Sequence, residues 1–297
     1  MIKKSFLLIL FCAFINVAHA QVIHQERSLY RNILVEDKGD LRCLKFNVKS
    51  TKTQQSCFLK SNPKQLVFNY TKLLMTSLLV IPQPKRILII GLGGGTMSNT
   101  LTELFPQSQI DNVEIDPAVI KVARNYFGFF ENDNVKTYNQ DGRIFIKRAL
   151  LKKQQYDWII LDAFNGDYIP EHLMTKEFLQ ETKSLLSDEG VLSANTFSLS
   201  KLYAHESATY KAIFGHFYQV RNQANANRII IVKQNGSQTN TLNKKNIKQL
   251  NKKLQPYGVD IFSLYEDISF TEKEQSWPDD TRILTDQFSP VNLLNTQ

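Results

Sequence analysis

From Arg86 onward, short apolar runs alternate with longer segments whose apolar residues recur every three or four positions. The runs at Arg86–Ile90, 110–115, 135–138, 158–161 and 191–196 read as buried strands. Segments such as Pro117–Tyr126 and 175–186 read as helices between them. Strand and helix in alternation predict a parallel α/β sheet. Ser187-Asp-Glu-Gly190 predicts a C-cap turn that closes the second of these helices. Two later runs, 217–220 and 228–232, predict an antiparallel hairpin at the sheet edge. Before Arg86 the pattern is β-rich, with apolar Asn32-Ile-Leu-Val35 and two strand-like segments, 41–48 and Gln54–Leu59, around the polar Lys49-Ser-Thr-Lys52 turn. A helical stretch, 64–80, follows, and Pro82 and Pro84 punctuate the boundary. Between Lys244 and Lys253, Ile247, Leu250 and Leu254 keep helical spacing, which predicts an amphipathic helix with a solvated basic face. No internal repeat is present. The expected organisation is a β-rich domain at 21–82, an α/β domain at 83–235 and a C-terminal extension at 236–297 packed on the core.

The first residues follow another rule. Lys3 and Lys4 precede a short apolar run, 6–17, and Ala18-His19-Ala20 has the small-x-small form of a cleavage site. Residues 1–20 therefore read as a secretory signal peptide, cleaved before Gln21. The run is short for a membrane span of about 20 residues, and no other stretch is long and apolar enough. The mature chain is expected to be exported, to the periplasm of a bacterial source, without a membrane partner. Cys12 leaves with the leader. Cys43 and Cys57 remain, and symmetric pairing about the 49–52 turn sets them opposite each other. In an oxidising compartment that predicts a cross-strand disulfide, against the alternative of two buried thiols.

The net charge of +8 raises the question of nucleic acid. Lys3 and Lys4 carry two of those charges, and the other lysines are scattered or lie on the solvated helix face, so no nucleic-acid partner is indicated. The five histidines lack metal-ligand spacing, and there is no G-x-S-x-G elbow for a serine hydrolase.

The chemistry collects at strand ends. "RILIIGLGGGTMSNTL" is a strand, a glycine turn and a helix start, in which Gly91, Gly93 and Gly95 permit close approach of a ligand to the backbone. Glu114 ends the next strand about 20 residues on, where this architecture places an acid on a ribose diol. Asp141, followed by Gly142, ends the third strand and can accept from an adenine amino group. Asp162 ends the fourth, in "IILDAFNGDYIPEHL". Each acid alone reads as a loop or cap residue; together, at successive strand ends, they mark a nucleoside site. Thr96 stands where a dinucleotide fingerprint has its third glycine, so NAD fits less well than a sulfonium nucleoside.

In order and spacing these segments resemble the spermidine synthases, or polyamine aminopropyltransferases. The likeness begins at "SLYRNILV" and "QQS", where Gln55 faces the donor, includes Tyr70, and continues through "VEIDPAVIKVARNYF", "DGRIF" and "YDWIILDAF". Asp-Ala-Phe-x-x-Asp-x-Ile-Pro-x-His-Leu and the late Leu284-Thr285-Asp286 with Pro290-Val291 are similar to a divergent bacterial branch. The resemblance implies a Rossmann-like, methyltransferase-type sheet, with Asp162 as catalytic base and decarboxylated S-adenosylmethionine as co-substrate. It also implies Tyr70 on the acceptor side, a polyamine acceptor such as putrescine, and a homodimer. His172 and Phe164, in the loop after Asp162, read as a second base or as packing residues.

Three positions depart from the family pattern. An Asp in the glycine loop, which holds the amine of the decarboxylated donor, is replaced by Gly94. The acceptor-gripping Asp three residues past Asp162 is replaced by Asn165, with Asp167 as the nearest substitute. The acidic pair ahead of Tyr70 is replaced by residues 65–69. Two other readings share the scaffold: an exported, non-catalytic polyamine or nucleoside binding protein, and a methyltransferase using S-adenosylmethionine. Gly94 favours the latter; the lack of an Asn/Asp-Pro-Pro-aromatic signature opposes it.

Overall fold

The computed structural model describes residues 20–46, 54–164, 168–221, 227–235 and 246–294. An antiparallel sheet comes first, in sequential order: β1 (Gln21–Arg27), β2 (Asn32–Lys38), β3 (Leu41–Phe46) and β4 (Gln54–Leu59). The register sets Cys43 against Cys57, and a disulfide joins them. The 49–52 turn, the leader and Asn165–Asp167 lie outside the described residues.

A short helix, α1 (Asn69–Leu74), leads into the main domain. There β5 (Arg86–Ile90), α2 (Thr96–Leu104), β6 (Gln109–Glu114), α3 (Pro117–Tyr126), β7 (Val135–Asn139), α4 (Gly142–Leu151) and β8 (Tyr156–Leu161) alternate. Then come α5 (Lys176–Ser184), β9 (Leu186–Phe197), α6 (Leu202–Phe214), β10 (Tyr218–Arg221), β11 (Asn227–Lys233), α7 (Ile247–Leu254), α8 (Ile261–Glu266) and β12 (Ile268–Phe270). The sheet order is β12-β10-β11-β9-β8-β5-β6-β7. Strands β5 to β9 are parallel, and β10, β11 and β12 pair antiparallel. This is the Rossmann-like, methyltransferase-type α/β sheet, with a small N-terminal antiparallel sheet beside it.

The unbroken apolar runs of β5 and β8 follow from burial on both faces. Ile87, Ile89, Trp158 and Ile160 pack into one core layer, and Leu88, Ile90, Ile159 and Leu161 into the other. The smaller sheet buries Ile33, Val35, Leu44 and Phe46 against Ala118, Val119 and Val122 of α3. That contact sets the N-terminal strands over the carboxyl ends of β5 and β6.

Several local readings change. The C-cap turn at Ser187–Gly190 is instead part of β9: Tyr156 pairs with Leu186 and Trp158 with Val191, so residues 187–190 bulge past Asp157. Asp157 holds the bulge by accepting from the Ser187 hydroxyl and from the Lys85 and Arg86 N–H groups. The helix expected over 64–80 shrinks to α1 and a 3-10 turn, Met75–Leu79. Its beginning is diverted because the Leu66 N–H donates to the Tyr257 carbonyl. The hairpin of β10 and β11 forms, but β12 covers its outer side and becomes the edge. That strand is too short to leave a periodic signal. On α7, Leu254 is buried and Ile247 and Leu250 pack on the core.

Candidate active site

The carboxyl ends of β5, β6 and β8, with the start of α4, surround a cleft of about 940 Å³. The N-terminal sheet closes one side through Phe46 and residues 54–57. Ligands of open α/β sheets bind at this end, where connections depart in opposite directions.

The glycine turn is shaped by crowding. Gly91 has φ +100°, and a Cβ there would run into the Asp162 carbonyl. The chain can therefore leave β5 beside the end of β8 only without a side chain. Gly93 lines the cleft, and Gly95 is the N-cap of α2. At Gly94 a Cβ would lie 2.7 Å from the Ser56 hydroxyl and 2.9 Å from the Phe127 ring. Ser56 is hydrogen-bonded to the Thr96 hydroxyl at 3.1 Å. The space an aspartate would need is thus filled by Ser56 of the N-terminal sheet and by Phe127 at the end of α3, which is the physical counterpart of the missing loop acid.

Glu114 ends β6, lines the cleft and is buried. Its oxygens accept from the Leu92 and Asp116 N–H groups, at 3.1 and 3.0 Å. Burial pushes its carboxyl up despite these bonds. Asp116 caps α3 and also accepts from the Ser28 hydroxyl at 2.6 Å, with Arg31 Nε 3.5 Å away. The "SLYR" segment therefore knots the N-terminal sheet to the turn that carries Glu114.

Asp141 is both a cap and a cleft residue. One oxygen accepts from the Arg143 and Ile144 N–H groups, capping α4. The other is 2.8 Å from His172 Nε2. Burial opposes ionisation, but the bonds from His172 and Ile144 outweigh it and hold the carboxyl below its ordinary range. Gly142, lining the cleft beside it, packs against Ile90. Arg143 runs outward, bidentate to both Glu181 and Asp286, so the late Leu-Thr-Asp segment braces this helix start.

Asp162 follows β8. Its Oδ2 accepts from the Tyr70 hydroxyl at 3.1 Å, and its Oδ1 from Asn195 Nδ2 at 2.9 Å. Burial pushes the carboxyl up to about 6, against the lowering by the Asn195 and Tyr70 bonds. Burial and the neighbouring carboxylate lift the Tyr70 hydroxyl well above its ordinary value. Phe68, Phe164, Tyr168 and Phe197 line this half of the cleft.

The structure thus gathers Gln55, Tyr70, Gly91, Gly93, Glu114, Asp141, Gly142 and Asp162 around one cleft. Gly95 stands one layer back, at the start of α2. Asp167 lies outside the described residues. Sequence reasoning missed Asn195 and Asn227 and left the partner of His172 unassigned. An amide inside the apolar run "VLSANTF" was the available signal for Asn195. Among the described residues, no cluster of His, Cys, Asp and Glu could hold a metal ion. No described helix is long and apolar enough to cross a membrane.

Residues 67–213 match the spermine/spermidine synthase domain family. The chain is 46% identical over 281 residues to a polyamine aminopropyltransferase of Vibrio vulnificus, covering 94% of this chain and 93% of that protein. A probable spermidine synthase of Corynebacterium glutamicum shares the fold, with a TM-score of 0.68 at 19% identity, over 89% of this chain and 96% of that one. Human methyltransferase-like protein 13, solved in complex with SAH, aligns with a TM-score of 0.53 at 27% identity, over 71% of this chain and 93% of that one. With identity at this level across nearly its whole length, the chain belongs to the spermine/spermidine synthase family.

Proposed function

We propose that the chain transfers the aminopropyl group of decarboxylated S-adenosylmethionine to a polyamine acceptor such as putrescine, with Asp162 as base. One observation carries this reading: a half-buried carboxylate at the end of a central strand, lining the cleft and held on both oxygens by neutral donors. The extended identity to the Vibrio vulnificus protein supports the same reaction class.

In the reaction the acceptor nitrogen attacks the carbon bonded to sulfur. The lone pair makes the C–N bond, the C–S bond breaks, and its electrons stay on sulfur as a neutral thioether. The lone pair is freed beforehand, when the bound ammonium passes one proton to Asp162, and the product nitrogen keeps its positive charge. An alkyl amine, with a pKa near ~10.4, is protonated at neutral pH and has no lone pair to offer. Against a carboxyl at about 6, removing that proton is uphill by roughly 6 kcal/mol in the reference state. Burial has already raised the carboxyl to about 6, and desolvation of the bound ammonium lowers its proton affinity and narrows the gap further. Tyr70 orients the carboxylate and the acceptor.

The residues present fit a nucleoside. The cleft has the size of a small-molecule site. The Gly91, Gly93 and Gly95 turn approaches the donor, Glu114 accepts from the ribose diol, and Asp141 with Gly142 receives the adenine amino group through the acceptor capacity His172 leaves. Gln55 is assigned to the donor and Asp167, which lies outside the described residues, to the acceptor. Export to the periplasm and homodimerisation belong to the same proposal; the Cys43–Cys57 disulfide supports the first.

Methyl transfer is the second reading, favoured by the side-chain-free Gly94 and the likeness to methyltransferase-like protein 13. Calorimetric titration of the mature protein separates the two, using decarboxylated S-adenosylmethionine, S-adenosylmethionine and methylthioadenosine, each with and without putrescine. Preference for the decarboxylated donor, with heat of reaction on adding putrescine, is expected. Asp162→Asn should then lose turnover by a factor of about 10² or more while keeping nucleoside affinity. Full turnover in that variant, or preference for S-adenosylmethionine, overturns the reading.

A further inference from the structure

Behind Asp162 lies a short chain of amides. Asn195, in β9, gives its Nδ2 to Asp162 Oδ1 at 2.9 Å. Its own Oδ1 accepts from Asn227 Nδ2 at 3.0 Å. Asn227 begins β11, where it pairs with Phe197, while Asn195 pairs with Ile229. The two asparagines are therefore diagonal neighbours on one face of the β9–β11 ladder, and both line the cleft.

An asparagine amide has a donor end and an acceptor end of nearly equal size. Nothing in its shape decides which end meets Asp162, and the neighbours must decide. A carboxylate can only accept, so it favours the NH2 end, and Asn227 rewards the same choice by donating to the oxygen end. If Asn195 were flipped, its oxygen would face the carboxylate and its NH2 would face the NH2 of Asn227. The backbone here is firmly set. On the opposite face, Arg228 bonds Thr196 at 3.0 Å and Ser207 at 2.7 Å and pairs with buried Glu206 at 3.5 Å. Those contacts lock the strand residues adjacent to both asparagines.

We propose that Asn195 and Asn227 are positioning residues for the transfer reaction, Asn227 orienting the Asn195 amide so that it holds the Asp162 carboxylate ionised and aimed at the acceptor. This rests on the reading of Asp162 as base. The titratable groups sharing the cleft with Asp162 are Tyr70 from α1, Tyr168 and His172 from the segment after β8, Asp141 at the N-cap of α4, Glu114 from β6, and Tyr30 and Arg31 from the turn between β1 and β2. Glu206 of α6 and Arg228 of β11 pair with each other on the far face. Of these, Tyr70 bonds the carboxylate directly, on the oxygen that Asn195 does not use. A bond donated to a carboxylate favours its charged form, so its removal should raise the proton affinity of Asp162.

The test has two readouts on the wild type, Asn195→Ala, Asn227→Ala and the double variant. One is the pH profile of kcat/KM. The other is titration of the Asp162 carboxyl, followed by carbon NMR in the ligand-free protein. With Asn195→Ala, the acid limb and the carboxyl titration should both move up by about one pH unit. That is roughly a tenfold loss of kcat/KM on the acid limb, with little change near pH 8. Asn227→Ala should move both less, and the double variant should match Asn195→Ala, because Asn227 acts through Asn195. Asn195→Ser, too short to reach Asp162, serves if the alanine variant does not fold. An unmoved carboxyl titration, or shifts that add in the double variant, overturns the proposal and leaves the base assignment untouched. A titration that moves without the kinetic limb shows that Asp162 is not the base, and the pair then has no part in the transfer.

Discussion

Replacing Asp162 by Asn should make the protein less active but, above neutral pH, more stable. The wild-type carboxyl is raised from 3.8 to about 6 in the folded state. A group raised on folding binds its proton more tightly in the native than in the unfolded chain. Stability therefore falls as pH rises from about 4 to about 6, and stays lower above that window. A shift of roughly 2 units corresponds to about 3 kcal/mol. Asparagine keeps the shape without the charge. It cannot accept from both Tyr70 and Asn195, so one hydrogen bond, about 1 kcal/mol, is lost at every pH. Asp162→Asn should then be less stable than the wild type by about 1 kcal/mol at pH 4 and more stable by about 2 kcal/mol at pH 8. At 2–4 °C per kcal/mol, the difference in Tm should swing by roughly 6–12 °C across that range. Thermal unfolding followed by circular dichroism at unit pH steps measures it. Other buried acids, such as Glu206 at about 7, are common to both proteins and cancel in the difference. A Tm difference that stays constant from pH 4 to pH 8 would show that Asp162 does not carry this burial cost.

Gly94→Asp should destabilise the protein by more than 1 kcal/mol, because the side chain meets Ser56 and Phe127; pairing it with Ser56→Gly should recover part of the loss, measured by urea unfolding. Cys57→Ser should cost about 3 kcal/mol through the closed loop between residues 43 and 57, with the wild type under reductant behaving alike. Asp286→Ala removes a partner of Arg143 whose carboxylate is partly exposed, so global stability should change by about 1 kcal/mol or less. Its clearer effect should be faster proteolysis of the segment after Trp277, detectable by mass spectrometry at native conditions.

The parallel sheet was legible because its central strands are buried on both faces and its helices are amphipathic, so period and burial agree. Glu114, Asp141 and Asp162 were legible for a related reason: an acid that stops an apolar run is conspicuous. What escaped was long-range. Asn195 lies 33 positions from Asp162, and its role depends on β8 and β9 being neighbours. Strand β12 joins the sheet through three residues, too few for alternation to register. The Ser187–Gly190 segment carries good turn residues, yet it forms a bulge within β9, tied to β8 by the Ser187 hydroxyl donating to Asp157. The collision that keeps residue 94 a glycine arises from Ser56 of the other sheet and from Phe127 at the end of α3, which local spacing cannot reveal.

The cleft gives its acids opposite treatments, and that division follows from what each one touches. Asp141 meets two backbone N–H groups at a helix start and an imidazole, which together overcome burial. It remains an anion, able to accept from a ligand and unsuited to hold a proton. Asp162 meets only two neutral donors, and desolvation outweighs them. It is ionised at neutral pH but close enough to its titration to take a proton. Glu114 has two N–H donors and is raised as well, yet both oxygens are committed to shaping the glycine turn and the start of α3. A proton arriving there would weaken the glycine turn. Of the three, Asp162 alone combines a raised proton affinity with partners whose loss would leave the backbone of the cleft intact. Separating proton affinities by environment is how a site built from like residues assigns binding and base roles. On the proposed reading, Tyr70 of α1 and Asn195 of β9, itself held by Asn227 of β11, draw that distinction.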